Sequence, residues 1–292
     1  MQQCRILATL AMAASLTACH KTDATPPVAT VTVTPAKPRV SSGAPIDLTY
    51  KFEVASRTAI AADYRVFVHV LAPDGQTLWN DDHEPAVPTS QWKPGQTVQY
   101  TRTTFVPVDV RAASASVEVG LYRDSDRLPL QGSDTSGREA NTRAYRVATV
   151  QLGPQSDNVF LIYKSGWYAQ EFSTSDPAST WAWTQKSAVL AFKNPRADAT
   201  LLLDVAARPD LFPGQPQQVT VSAGGQTLGT FRADSLDPTL HRVAIPAAAL
   251  GAGDMAELHI DVDRTFRPAS GAAGKDDREL GVQVYHLFID GR

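Results

Sequence analysis

Apolar and polar residues alternate with a period of two along most of this chain, in short runs separated by Pro, Gly and Asp clusters. Such alternation belongs to half-buried β-strands joined by tight turns, because successive side chains on a strand point to opposite faces. In the first half it predicts seven strands, at 30–34, 46–54, 64–71, 76–79, 97–105, 115–122 and 144–152, the number and spacing of a β-sandwich. In the third run Tyr64, Val66, Val68 and Val70 share one face, while Arg65, Phe67, His69 and Leu71 share the other. Both faces are partly apolar, so this strand is expected at a sheet centre with another element over its second face. Pro73-Asp74-Gly75 then turns the chain, and Asp-Gly between alternating runs signals a hairpin.

A second strand-rich stretch has runs at 200–206, 218–223, 226–231, 241–245, 256–262 and 282–289. Gly224-Gly225 supplies a hairpin turn between the second and third of these. The one helical turn expected is 246–250, where Pro at a first helical position precedes three alanines and Gly251 stops the run. The fold class is all-β, with two consecutive β-sandwich domains. The connector Gly153-Pro154-Gln155-Ser156-Asp157 is too short for wide swinging, so contact between the domains is expected.

The N-terminus breaks the pattern. Arg5 precedes an apolar run at 6–16 interrupted only by Thr9 and Ser15, and small residues lead into Cys19. That is a secretory leader, far shorter than the roughly 20 residues a membrane-spanning helix needs. Leu16-Thr17-Ala18-Cys19 resembles the bacterial lipobox. The resemblance implies cleavage before Cys19, diacylation of its sulfur and acylation of its new amine. One acyl chain holds a protein marginally and several hold it firmly, at about 0.8 kcal/mol per buried CH₂. His20, rather than the aspartate of the inner-membrane retention rule, implies the outer membrane in a host with two membranes. Residues 20–27 are polar and Thr-rich and end in Pro, a tether between lipid and fold.

Composition mainly excludes. The only cysteines are Cys4, in the leader, and Cys19, committed to lipid. The mature domains therefore lack disulfides, thiolate zinc sites and cysteine nucleophiles. Stability must come from apolar cores, which 43% hydrophobic residues allow. A formal net charge of −3 with scattered Lys and Arg gives no footprint for nucleic acid.

Two sets of segments carry a further resemblance. Phe67-Val68-His69, Asp81-Asp82-His83, Pro88-Thr89-Ser90-Gln91-Trp92-Lys93-Pro94-Gly95-Gln96, Val119-Gly120-Leu121-Tyr122 and Arg127-Leu128-Pro129 resemble a bacterial immunoglobulin-like envelope domain. Gly166-Trp167-Tyr168, Glu171, Trp181-Ala182-Trp183-Thr184, Phe266-Arg267-Pro268 and Asp276-Asp277-Arg278-Glu279-Leu280-Gly281-Val282 resemble a second module of the kind that accompanies membrane glycosyltransferases and other envelope glycan proteins. Neither family carries an assigned chemistry. The layout implied is a signal peptide at 1–18, a lipidated tether at 19–28, an immunoglobulin-like sandwich at 29–153 and a jelly-roll or galactose-binding-like sandwich at 154–292.

Each candidate site has a plainer rival. Asp81, Asp82, His83 and Glu84 form the densest set of potential ligands, yet adjacent acids on a strand or turn point different ways, which suits a hydrogen-bonded turn better than calcium. Trp167, Tyr168, Trp181 and Trp183 beside Glu171 are what a sugar platform would use, with rings stacking on C–H faces and a carboxylate taking hydroxyls; a tryptophan-packed core is the rival. Asp277 and Arg278 fit a polar loop over a ligand, or an internal Arg–carboxylate lock on the last strand's entry. The Gly-framed segment 271–274 reads as a mobile part of that loop.

No Gly-x-Ser-x-Gly elbow, His-Glu-x-x-His, Walker loop or dinucleotide fingerprint occurs, and the six histidines are spread singly. His69, His259 and His286 fall in predicted strands and read as packing residues. No cofactor and no catalytic residue is expected. The reading is a non-catalytic envelope lipoprotein, membrane-bound through its lipid, with a glycan the favoured ligand. Its rivals are a structural protein that docks another envelope protein by β-augmentation, and third a glycan-active enzyme using carboxylates such as Glu171, Asp276 and Asp277. Sugar binding predicts at least two of the three tryptophans exposed and coplanar, burial of all three favours scaffolding, and an enzyme predicts carboxyls about 5 to 9.5 Å apart across a cleft.

Overall fold

The computed structural model describes residues 25–132, 142–175, 179–268 and 276–291. The leader, Cys19 and the 271–274 segment lie outside the described residues.

The first module contains β1 (Ala29–Pro35), β2 (Arg39–Ser41), β3 (Pro45–Val54), β4 (Arg65–Leu71), β5 (Thr77–Asn80), β6 (Thr97–Phe105), β7 (Ser114–Arg123), β8 (Asp126–Leu128), β9 (Leu130–Gln131) and β10 (Tyr145–Gly153). A four-stranded sheet in the order β6-β3-β1-β9 packs on a second sheet, β2-β10-β7-β4-β5, with β8 folded back onto β7. The seven expected strands are all present, each within a residue or so at either end. The additions β2, β8 and β9 have two or three residues, too few for a period of two to register.

Alternation does the packing. On β3 Ile46, Leu48, Tyr50, Phe52 and Val54 point inward, and Val66, Val68 and Val70 of β4 face them in one core. Burying an aliphatic or aromatic side chain of this size is worth about 1.5–3 kcal/mol. The apolar second face of β4 also finds its cover. Phe67 is only 2% exposed, with the Arg127 guanidinium 4.5 Å from its ring centroid and the rings of His69 and Tyr122 at 5.0 and 6.2 Å. Gly120 makes room, since a Cβ there would come 2.2 Å from Phe67 Cε1.

The second module contains β11 (Leu161–Tyr163), β12 (Glu171–Phe172), β13 (Thr180–Trp183), β14 (Ser187–Lys193), β15 (Ala199–Ala206), β16 (Gln217–Ala223), β17 (Gln226–Ala233), β18 (Thr239–Ile245), β19 (Met255–Val262) and β20 (Gln283–Gly291). Two five-stranded sheets, β11-β14-β19-β16-β17 and β12-β13-β20-β15-β18, enclose a separate core. The β16–β17 turn uses Gly224 and Gly225 at φ of 55° and 79°, the left-handed pair that a tight hairpin requires. The turn after Pro246 is a single 3-10 turn at Ala247–Ala249. Among the described residues no helix is long and apolar enough to cross a membrane.

β11, β12 and β13, of two to four residues, went unpredicted as too short for a period to register, and β14 because Ala188-Val189-Leu190-Ala191-Phe192 is continuously apolar. Its inner face enters the core, while Ala191 on its outer face is only 6% exposed, so no alternation shows.

The two sandwiches meet at the end of β10. Phe105 of β6 stacks on His286 of β20, with centroids 4.2 Å apart and planes 4° from parallel. Arg242 of β18 donates to the Thr103 hydroxyl at 2.6 Å and to Asp47 at 3.1 Å. Asn158 Nδ2 donates to the Ser42 carbonyl at 2.8 Å, and Phe288 packs against the first core.

Candidate functional site

The aromatic and charged residues singled out in the second module gather at one margin of the sheet led by β12. Glu171 on β12 pairs directly with Trp181 on β13, so their side chains share a face, and Trp183 shares it by the two-residue period. Ala182, paired with core residue Val284, points the other way. The outer face thus carries Glu171, Trp181 and Trp183, and Tyr285 of β20 joins them with its ring 5.5 Å from Trp181, tilted by 37°.

The three tryptophans then separate. Trp183 is 6% exposed, with Phe266 set edge-on at 5.5 Å and Phe212 against Phe266 at 6.4 Å. Trp167 packs against the second core, donates its indole N–H to the Val189 carbonyl at 2.9 Å and meets Tyr163 edge-on at 4.8 Å. Trp181 is half-buried. The coplanar platform of exposed tryptophans does not form; what forms is a Trp181–Tyr285 pair. Tyr285 follows core residue Val284, so alternation turns it outward, and the β13–β20 register places it opposite Trp181.

Gly166 sets Trp167 in place. Its φ is 79°, and a Cβ there would fall 1.8 Å from the Ser187 carbonyl oxygen, so only glycine lets this turn lie against β14.

Arg278 organises the charge. Its Nε donates to Asp276 Oδ1 at 2.9 Å, its Nη2 to Asp276 Oδ2 at 2.8 Å and its Nη1 to Glu171 Oε1 at 2.6 Å, while the guanidinium lies 5.2 Å from the Tyr168 ring centroid. Tyr168 OH donates to the Glu279 carbonyl at 3.1 Å. Buried Gln217 pins the same loop through bonds of 2.9 Å to the carbonyls of Arg264 and Gly281. The Arg–carboxylate lock is formed, and it ties the loop to edge strand β12. Hydrogen bonding from Arg278 holds the Asp276 carboxyl below the usual carboxylate range. Asp277 is exposed on the same loop.

No family model matches this chain. No curated protein matches it either. Among solved structures, similarity is found to a family GH115 4-O-methyl-α-glucuronidase with specificity for decorated arabinogalactans, at 11% identity and a TM-score of 0.29, covering 49% of this chain and 19% of that one. A Bacteroides uniformis β-glucuronidase gives 10% identity and a TM-score of 0.28, covering 89% and 30%. The CBM51-2 and INT domains of Clostridium perfringens ZmpB give 10% and 0.25, covering 62% and 39%. The chain spans well under two thirds of each of these three. Likeness at this level carries no ligand or activity across, so function has to be argued from the residues themselves.

In the first module the acidic cluster is a closed network. Asp81 takes Arg102 through Nε at 3.2 Å and Nη2 at 2.9 Å, and Asp82 Oδ1 accepts the Val68 N–H at 3.0 Å. His83 is buried, with Nδ1 2.7 Å from the Asp81 carbonyl oxygen and Nε2 2.8 Å from Tyr100 OH. Burial pushes its pKa down, so the neutral ring donates at Nδ1 and accepts the Tyr100 hydroxyl at Nε2. Among the described residues no group of three or more His, Cys, Asp or Glu is placed to hold a metal ion. The network closes the sandwich edge where β6 meets the segment after β5.

Proposed function

We propose that this chain is a non-catalytic binding and scaffolding lipoprotein of the bacterial cell envelope, anchored by acyl chains on Cys19 and taking a glycan on the outer face that carries Trp181 and Tyr285. The observation behind the ligand is their pairing at 5.5 Å beside the Glu171–Arg278 tie. Two partly open rings next to fixed hydrogen-bonding groups suit a sugar, which presents C–H patches and hydroxyls together.

The same arginine speaks against catalysis. Paired-carboxyl hydrolysis needs one acid with a raised pKa facing another across a gap. Here Glu171 and Asp276 are both committed to one guanidinium, and Asp276 is shifted the wrong way for a general acid. Leu16-Thr17-Ala18-Cys19 supports the anchor, and His20 supports the outer-membrane address.

A glycan array probed with the lipid-free chain tests the ligand. Binding lost in Trp181→Ala and Tyr285→Ala, both with parental circular dichroism, supports it. No hit on the array, or binding unchanged in both variants, overturns it.

A second reading has its own observation. Edge strand β11 exposes Ile162 at 42% and Tyr163 at 49%, next to Phe160 at 61%, and edge strand β12 exposes Phe172 at 64%. Apolar side chains on open strand edges suit docking of a protein segment by β-augmentation. A pull-down of an envelope protein abolished by Phe172→Lys, with a blank glycan array, favours this reading.

A further inference from the structure

The chain enters the first sandwich at one end and leaves it for the second sandwich at the other. Val28 is fixed at the entry end, its N–H donating to the Pro129 carbonyl at 2.8 Å and its carbonyl accepting from Ala55 N–H at 2.9 Å. From there β1 runs away toward Pro35, while ten-residue β3 returns from Pro45 to Val54, a length of about 33 Å. The contacts with the second sandwich lie at the far end. They are the Phe105–His286 stack, the Arg242 bonds to Thr103 and Asp47, the Asn158–Ser42 bond and a Lys37–Asp290 pair at 3.7 Å. β20 crosses this joint, with Asp290 paired to Lys37 and His286 stacked on Phe105, so that Tyr285, the residue before His286, holds the Trp181 pair beside the joint at this far end.

We infer that the first sandwich is a rigid strut, with the lipid anchor at one end and a locked joint at the other, so that the Trp181–Glu171–Arg278 face is presented on the side remote from the membrane. This rests on the lipid anchor of the proposed function. Nine peptide steps separate Cys19 from Val28, which bounds that span at about 32 Å. The loop at 55–63 and the turn at 93–96 share this entry end with Val28 and are the parts of the fold within shortest reach of the lipid. The ligand face meets a component held away from the bilayer, and lipid headgroups are not its target. Rigidity follows from the joint, because a ring stack, a two-point arginine tie and Phe288 packed against the first core hold the two sandwiches at several separate points.

The test uses the full lipidated chain in vesicles of phosphatidylethanolamine and phosphatidylglycerol with an energy-transfer acceptor on the headgroups. Mass spectrometry first establishes acylation at Cys19. With that sulfur blocked, Arg57→Cys, Thr174→Cys and Gln170→Cys each give one reactive thiol at an exposed position. Strong transfer from position 57 and near-background transfer from 170 and 174 is the expected result. Spin labels on Gln99→Cys and Thr230→Cys, one in each sandwich, should give a narrow distance distribution that broadens when Arg242→Ala and Thr103→Val are added. Equal transfer from both ends, or a broad distribution in the parent, overturns the strut while leaving the anchor intact. A chain without lipid overturns the anchor and the strut together.

Discussion

Arg278 donates to Glu171 at 2.6 Å across 107 positions of sequence, binding a loop near the end of the chain to the edge strand β12. Removing that donor in Arg278→Ala should free both partners. The Asp276 carboxyl, now held low by hydrogen bonding from Arg278, should titrate back in the ordinary carboxylate range. A group whose folded pKa is depressed stabilises the fold above its unfolded pKa and loses that contribution as pH falls through the folded value. Carboxyl-carbon NMR titration of parent and variant reads the shift, and an unchanged Asp276 curve would refute the tie.

Tyr100→Phe removes the hydroxyl that His83 Nε2 accepts in a buried site. Leaving a buried acceptor without its donor costs about 1–3 kcal/mol, measurable by urea unfolding at neutral pH. His83 itself adds an acid dependence. Burial depresses its folded pKa, so the unfolded chain takes up the proton first, and stability declines as pH drops from about 6.5 through the lower folded value. His83→Gln should flatten that part of the stability–pH curve.

Trp183→Ala and Trp181→Ala should behave differently although the residues share a sheet face. Trp183 is enclosed by Phe266, and its truncation should cost about 3–5 kcal/mol by chemical denaturation. Trp181 is half-buried, and its loss should cost less stability while abolishing the glycan binding proposed for this face. Equal destabilisation would place Trp181 in the core and remove the basis for a ligand surface.

Gly166→Ala combines a positive φ with a collision against the Ser187 carbonyl. Strain and overpacking together should cost about 2–6 kcal/mol. Gly75→Ala has the same sign of φ but open space around it, and should cost only the strain. Thermal melts of the pair separate the two effects.

Strands with one wet face were legible in the sequence: β3 and β16 alternate cleanly, and so was the Gly224-Gly225 turn between β16 and β17. β14 was hidden because apolar residues on both faces erase the period. The covering of Phe67 could be anticipated from the apolar second face of β4, but not that an arginine would provide it. At the candidate site, the Asp276–Arg278–Glu171 lock was foreseen as a chemical type, because arginine beside acids near a terminal strand has few other partners. The fates of the tryptophans were not foreseen, since Trp167, Trp181 and Trp183 are identical in composition and differ only in what other loops lay over them. Phe266, which covers Trp183, and Phe212, which packs behind Phe266, come from loops after β19 and β15. Tyr285 became a partner of Trp181 through the pairing of β13 with β20, strands about a hundred residues apart in sequence that no local pattern joins.

Strand β20 lies in the middle of its five-stranded sheet although its residues, 283–291, come after every other strand of that sheet. It also carries His286, Phe288 and Asp290 to the joint. During synthesis the second half of the molecule therefore cannot close until these residues emerge. A premature stop before position 283 would leave β13 and β15 facing an empty central lane, a ready substrate for proteases, so shortened products should be cleared rather than accumulate.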